Sequence, residues 1–486
     1  MSAVTAVVPE SSATGPRLGW LSERGMGASI LVAALSASFG VVLLAATDYI
    51  GRMLSQNPYI GDSGTLAVVV GILSVLLIGV AMYVAAIVTA NTFSTIVAGR
   101  TRRIALLRLI GSSARAQRSE VARQGLVVGV IGAAAGVVVG LGVAASGIAL
   151  AERFVASVEG FSLGQRLFLV PAFAVALTTW AAAWAGSRRV LTVTPLQAIG
   201  GSVERTHEDA AARPVRHITA LVLVVLGVAL LVGGVLVGLI TPLGVIVAFF
   251  GGLASFTGIA LAAVRVMPPL LRLVGRMFGR SAVARLAAEN ALRYPERSSR
   301  MAIGVVMGVT LVTMFAVALE SVKRLLAAAA GGALDPQFAL IMDGFATVMM
   351  VLVGVSAAIA AVGLVNLLTI GVVQRRRELG LLRAVGLSNA QVRRMILLEA
   401  VHITVTATAT GLVLGVGYGW VAAQSLLGSV RMPPDFEQTA GLVAPAVPWI
   451  PVVVIAVAAA LLTLIASAAP TRLATRVAPV EALAVD

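Results

Sequence analysis

Arg375-Arg376-Arg377-Glu378-Leu379-Gly380-Leu381-Leu382-Arg383-Ala384-Val385-Gly386 lies between two long apolar runs, and the chain contains a second version of it. Setting residue n against n+275 superposes residues 91–118 on 366–393 without a gap, and ten of the 28 positions are identical. The identities include Asn91/Asn366, Arg102/Arg377, Leu106/Leu381, Arg108/Arg383, Gly111/Gly386 and Ser113/Ser388. A later stretch repeats at an offset of 284, pairing Arg188 with Arg472, Pro195 with Pro479 and Ala198 with Ala482. A duplicated unit is the simplest account of both offsets.

The surroundings say what is duplicated. Of 486 residues, 59% are hydrophobic and 12% charged, and the mean hydropathy is +1.00. A soluble domain carries roughly twice that share of charge, so this chain has too little polar surface to cover a water-soluble globule. A membrane-spanning helix needs about 20 apolar residues in succession. Ten such stretches are present, near 28–47, 65–90, 125–148, 167–187, 218–240, 243–264, 301–320, 345–373, 397–427 and 448–468. The expected fold is all-α and integral to a membrane, with ten transmembrane helices in a duplicated 4+2+4 plan.

That plan divides the chain into an N-terminal tail (1–27), a first four-helix unit (28–200), a linker with a central helix pair (201–284) and a second four-helix unit (285–486). Both units have the same orientation, as in parallel repeats related by an axis along the membrane normal. With both termini placed in the cytoplasm, 30 of the 36 basic residues fall on the inner side and six outside, as the positive-inside rule requires. The basic excess of +15 therefore reads as a topology signal, not as a nucleic-acid surface. No outer loop is long enough to bury a core of its own.

Residues 375–386 read as a helical extension that turns at Gly386, with Ser388 and Asn389 as candidate N-caps of the helix that follows. Leu379 and Leu382 share a face, and Arg376, Arg377 and Arg383 spread around the others. Such an element either lies on lipid phosphates or docks its apolar face in a groove of a cytoplasmic partner. Its occurrence twice favours a partner that also comes in two copies.

Residues 375–386, with Gln391-Val392-Arg393-Arg394 and Leu397-Leu398-Glu399-Ala400, resemble the core motif of the FtsX-like permeases. These are the membrane subunits of mechanotransmitting ABC transporters that include the MacB and lipoprotein-extracting systems. Asn290-Ala291-Leu292-Arg293 and Pro479-Val480-Glu481-Ala482-Leu483 are similar to signatures at the start and end of that family's permease unit. Ten spans resemble the bacitracin-export-type branch. The resemblance implies a type VII-like permease subunit in a bacterial cell membrane, exporting or extracting an amphiphilic, lipid-like or peptide substrate.

It further implies a cytoplasmic ABC ATPase, two copies per chain, holding ATP and Mg, with membrane lipid and an extracellular or lipoprotein partner as further contacts. The coupling residues it implies are Arg102, Leu106, Arg108 and Gly111 in the first unit. In the second they are Arg377, Glu378, Leu382, Arg383 and Gly386. Glu378 has Arg103 as its counterpart and Gly380 has Ala105, so the two coupling sites are expected to differ. The large extracytoplasmic domain typical of the family is missing between these spans.

Other chemistries are poorly served. A GxxxxGK[ST] phosphate loop needs a lysine after glycine, but the sole lysine, Lys323, follows Val322 in what reads as an outer loop. No cofactor is expected in this chain. There is no cysteine, and the three histidines stand apart, so no catalytic or metal residues are assigned. An ion-coupled carrier would place ionisable groups at mid-membrane, and the spans have none near their centres. Glu399 reads as an interfacial or docking residue and His402 as a packed one. A non-transporting, mechanotransmitting signalling subunit is the remaining alternative.

Overall fold

The computed structural model describes residues 26–56, helical pairs between 71 and 87, 111–153, 162–164, 166–187, 214–277, 281–293, 295–329, 381–429 and 442–476. Every regular element among these residues is helical. They are α1 (Met26–Ser55), α2 (Ala114–Ala151), α3 (Val170–Gly186), α4 (Pro214–Gly238), α5 (Gly244–Gly275), α6 (Ala282–Arg293), α7 (Pro295–Ala329), α8 (Asn389–Leu427) and α9 (Trp449–Arg476). Six of them (α1, α2, α4, α5, α7 and α8) are long and apolar enough to cross a membrane. The shorter apolar helix α3 is preceded by a 3-10 turn at Arg166–Leu169. The expected span 345–373 lies outside the described residues, and 65–90 is described only at its helical pairs.

Large apolar side chains on α2, α3, α4 and α9 face outward, among them Val138, Phe173, Val225 and Ile450. In water such a surface would aggregate. In a bilayer it is the lipid-facing side, and the helices satisfy their own backbone groups there. α1 and α7 are instead largely enclosed by their neighbours.

The helices pack as two similar triads. α1, α2 and α3 touch pairwise, and so do α7, α8 and α9. Glycines on α2 and α8 let the paired backbones approach. Gly140 lies against Ser38 and Val41 of α1, and Gly415 against Thr310 and Thr313 of α7. Gly136/Gly411 and Gly140/Gly415 are separated by the same 275 residues as the basic motifs, so the repeat extends into the packing seam. Without a hydrophobic force between helices in lipid, such close contact is what holds them together.

The hairpin α4–α5 packs on the second triad, against α7 and α8. Tyr83 shares a hydrogen bond with Thr257 of α5 (2.8 Å), and Ser255 of α5 shares one with Tyr418 of α8 (2.9 Å). α5 therefore touches the second expected span and the second triad at once.

Several helices outrun their apolar stretches. α5 continues past Arg265 and through Pro268 and Pro269 to Gly275. α7 runs to Ala329, so Lys323 sits in its last turns and not in a loop. α2 has 38 residues and α8 has 39, about 57–58 Å at 1.5 Å per residue. A hydrocarbon core is about 30 Å thick, so both must project well beyond it.

Candidate functional site

The described part of the second basic motif is an elbow at the start of α8. Residues 381–384 form the end of a helix. The Val385 N–H donates to the carbonyl of Leu381 (3.0 Å), Gly386 to Arg383 (3.1 Å) and Leu387 to Leu382 (3.0 Å). This is a Schellman ending, which needs a left-handed residue just past the helix. Gly386 supplies it at φ +113. Ser388 then caps α8: its Oγ accepts from the Gln391 N–H (3.2 Å), and the Gln391 Oε1 accepts from the Ser388 N–H (2.8 Å). Asn389 is the first helical residue, so of the two candidate caps the serine performs the role. Ser388→Ala removes one half of this box and is expected to cost about 1 kcal/mol. Faster hydrogen exchange confined to 388–392 would show it, and unchanged exchange there would refute it.

The elbow is fastened from within. Leu382 and Leu387 pack with Val392, Met395 and Ile396 of α8 and with Val283 and Ala287 of α6. Leu382 is thus turned towards its own protein. The exposed apolar side chains are Leu381 (56% exposed) and Val385 (77%), one helical turn apart, with Arg393 and Arg394 exposed in the second turn of α8. Arg383 is half-buried.

From Gly111 onward the first motif has matching geometry. Gly111 has φ +103, and the Ser113 Oγ accepts from the Ala116 N–H at 3.1 Å. Its third helical residue is Ala116 where the second elbow has Gln391, so there is no reciprocal box. Its anchor also differs. Arg118 lies over the Trp184 ring, 3.9 Å from the centroid, and its Nη2 donates to the Trp184 carbonyl (3.4 Å), which ties α2 to the end of α3.

Of the nine residues singled out from sequence, Gly111, Leu382, Arg383 and Gly386 are among the described residues. Arg102, Leu106, Arg108, Arg377 and Glu378 lie outside them. The repeat pairs Leu106 with Leu381, not with Leu382, and it is Leu381 that is exposed.

Just above the second elbow is a polar junction. Glu399 is buried and its Oε2 accepts from Asn290 Nδ2 of α6 (2.6 Å). One turn on, buried His402 donates from Nε2 to the carbonyl of Leu271 on α5 (2.6 Å); a carbonyl can only accept, so Nε2 carries the proton. Glu399 is therefore turned into its own protein and not exposed for docking. Together the two side chains bind α8 to α6 and α5. The repeat places Gln124 and Val127 at these positions in α2, so the junction belongs to one elbow only.

Against known families, residues 75–195 and 350–479 each match the model described as FtsX-like permease C-terminal. The two matches start 275 residues apart and end 284 apart, the offsets at which the chain repeats itself. Among curated proteins, the chain is similar to the macrolide export ATP-binding/permease protein MacB of Rhodopirellula baltica, 28% identical over 151 residues (29% of this chain, 19% of that protein). It is similar to the ABC transporter permease YtrF of Bacillus subtilis, 30% identical over 67 residues (14% of this chain, 15% of that protein). The uncharacterized ABC transporter permease YknZ of the same organism is 28% identical over 81 residues (17% of this chain, 20% of that protein). The matched segments thus span about a fifth or less of each relative's own length.

Proposed function

The chain belongs to the FtsX-like permease family of ABC transporters, and from that premise we propose that it is the membrane half of an exporter or extractor driven by separate ATPase subunits. The observation that carries this reading is the pair of elbows. Each is a basic motif followed by a left-handed glycine and a capping serine, and each stands at the head of a helix about twice as long as the hydrocarbon core of a bilayer is thick.

In this reading the elbow ends lie in the cytoplasm and each receives one ATPase, which holds ATP and Mg. The chain spans the bacterial cell membrane ten times in a 4+2+4 plan, with α4–α5 as the central pair and both termini inside. Arginines 102, 108, 377 and 383 pair with acidic groups on the ATPase, as a guanidinium fork does best, while Glu378 gives the second site a charge that the first lacks. The substrate is amphiphilic, lipid-like or peptidic, and leaves from the membrane or outward.

The test is affinity purification of the full chain from its native membranes in mild detergent. A Walker-motif protein co-eluting at two per chain is expected, and its absence would overturn the reading. Glu378→Lys combined with Arg383→Glu reverses two charges of the second motif. This variant is expected to insert normally yet uncouple ATP hydrolysis from transport. Normal ATPase association and transport in it would refute the assigned residues.

A further inference from the structure

Four buried or half-buried threonines in these helices satisfy their hydroxyl by donating to the carbonyl one turn back. Thr47 does so to Leu43 (2.8 Å), Thr257 to Leu253 (2.6 Å), Thr406 to His402 (2.9 Å) and Thr410 to Thr406 (2.8 Å). Thr310, Thr313 and Thr408 do not. They are 3%, 0% and 9% exposed, and none of their hydroxyls has a hydrogen-bond partner. All three belong to one seam. Thr310 and Thr313 flank the point where α7 meets Gly415, whose added Cβ would lie 2.5 Å from Thr313 Cβ and 2.8 Å from the Thr310 carbonyl oxygen. Thr408 shares a helix face with Gly411 and Gly415 by its spacing of three and seven residues.

Packing does not demand the hydroxyls of Thr313 and Thr408. The α1–α2 seam closes by the same glycine contacts, with Val41 and Ser38 against Gly140 where Thr313 and Thr310 meet Gly415, and with Ala133 at the repeat position of Thr408. The first triad has unpartnered hydroxyls of its own at Ser36 and Thr179, but these sit singly on α1 and α3. A buried hydroxyl with no partner is a cost, and a seam that could close without two of them retains those two to no advantage while shut.

We propose that the α7–α8 seam parts during the transport cycle, and that Thr310, Thr313 and Thr408 then face a polar track for uncharged hydrogen-bonding groups, amide or hydroxyl, of the amphiphilic substrate. This rests on the transporter reading and narrows its substrate class. A hydroxyl both donates and accepts, which suits amides and alcohols. The flanking stretches 301–319 and 403–427 contain no ionisable side chain apart from Tyr418, so nothing in the seam would neutralise a charged group. The α1–α2 seam, with valine and alanine at two of the three positions, stays shut.

The chain has no cysteine, so single substitutions report cleanly. Thr313→Cys and, as its counterpart, Val41→Cys would be made in the full chain and probed in native membrane vesicles with a charged, water-soluble methanethiosulfonate reagent. Labelling of Thr313→Cys is expected to speed up severalfold on adding ATP, while Val41→Cys remains unlabelled. A Thr313→Cys rate unaffected by ATP, or an equal rise at Val41→Cys, overturns the proposal. A second variant, Thr313→Val with Thr408→Val, keeps side-chain shape and removes two unpartnered hydroxyls. Its melting temperature is expected to rise, and a fall would overturn the premise that they are unsatisfied in the closed state. Co-purification from the same vesicles separates the two failures. If the ATPase is retained and labelling ignores ATP, the seam alone is wrong; if no ATPase is retained, the transporter reading is wrong too.

Discussion

Gly415→Leu is expected to destabilise the protein by about 3 kcal/mol or more, at the upper end of overpacking costs, whereas Gly417→Leu, half a turn away, is expected to do no harm. A Cβ at position 415 would stand 2.5 Å from Thr313 Cβ and 2.9 Å from its Cγ2, with the Thr310 carbonyl at 2.8 Å. Part of that obstruction is backbone, which cannot swing aside, so α7 and α8 must separate along their length. At 417 nothing lies within 4 Å. Leucine there meets lipid and improves on glycine as a helix former by up to about 1 kcal/mol.

The first triad supplies a second matched pair. Gly140→Leu presses on Val41 and Ser38, with added-Cβ distances of 2.9 and 3.0 Å, while Gly142→Leu meets nothing within 4 Å. The unfolding midpoint of each variant in detergent, against its neighbour, is the measurement. Equal midpoints for 415 and 417 would show that the seam is not closed by glycine contact.

How far the sequence foretold this depends on whether each feature is local. The turn at Gly386 was legible, because a helix that stops and restarts within five residues needs a left-handed turn and only glycine takes it cheaply. Ser388 was legible for the same reason. The apolar runs located the membrane helices, but not their ends: hydropathy falls at Arg265, while the helix α5 continues past Pro268 and Pro269 to Gly275, although neither proline has an N–H to donate. α6 was legible only as the short signature Asn290-Ala291-Leu292-Arg293, because twelve residues of mixed polarity leave no mark on a membrane-length window. The burial of Glu399 could not be read at all. It depends on Asn290, 109 residues distant in the chain, and no local pattern announces such a pairing.

The orientation of the elbow's leucines is the most instructive difference. Helical spacing groups Leu379 with Leu382 on one face, but spacing alone does not say whether that face meets a partner or the protein itself. α6 decides it, by covering Leu382 with Val283 and Ala287 and leaving Leu381 and Val385 outside. The repeat agrees, since Leu106 has Leu381 as its counterpart.

From this follows a prediction that separates the two faces. Leu381→Asp with Val385→Asp is expected to weaken capture of the ATPase at least about a hundredfold, since apolar anchors at the centre of an interface contribute about 2 kcal/mol or more each. Both side chains are more than half exposed, so the chain itself should lose no more than about 0.5 kcal/mol. Leu382→Asp has the opposite signature. It buries a carboxylate against Val392 and Met395 with no partner provided, which costs about 2 kcal/mol or more and loosens the hold of α6 on the elbow. The readouts are ATPase retention on the purified chain and the unfolding midpoint, taken on the same samples. Lost retention with an unchanged midpoint at 381 and 385, and a lowered midpoint at 382, would place the docking face on Leu381 and Val385. Full retention in the double variant, with loss in Leu382→Asp at an unchanged midpoint, would return that face to Leu382, because only a side chain free of the core can change binding without changing stability.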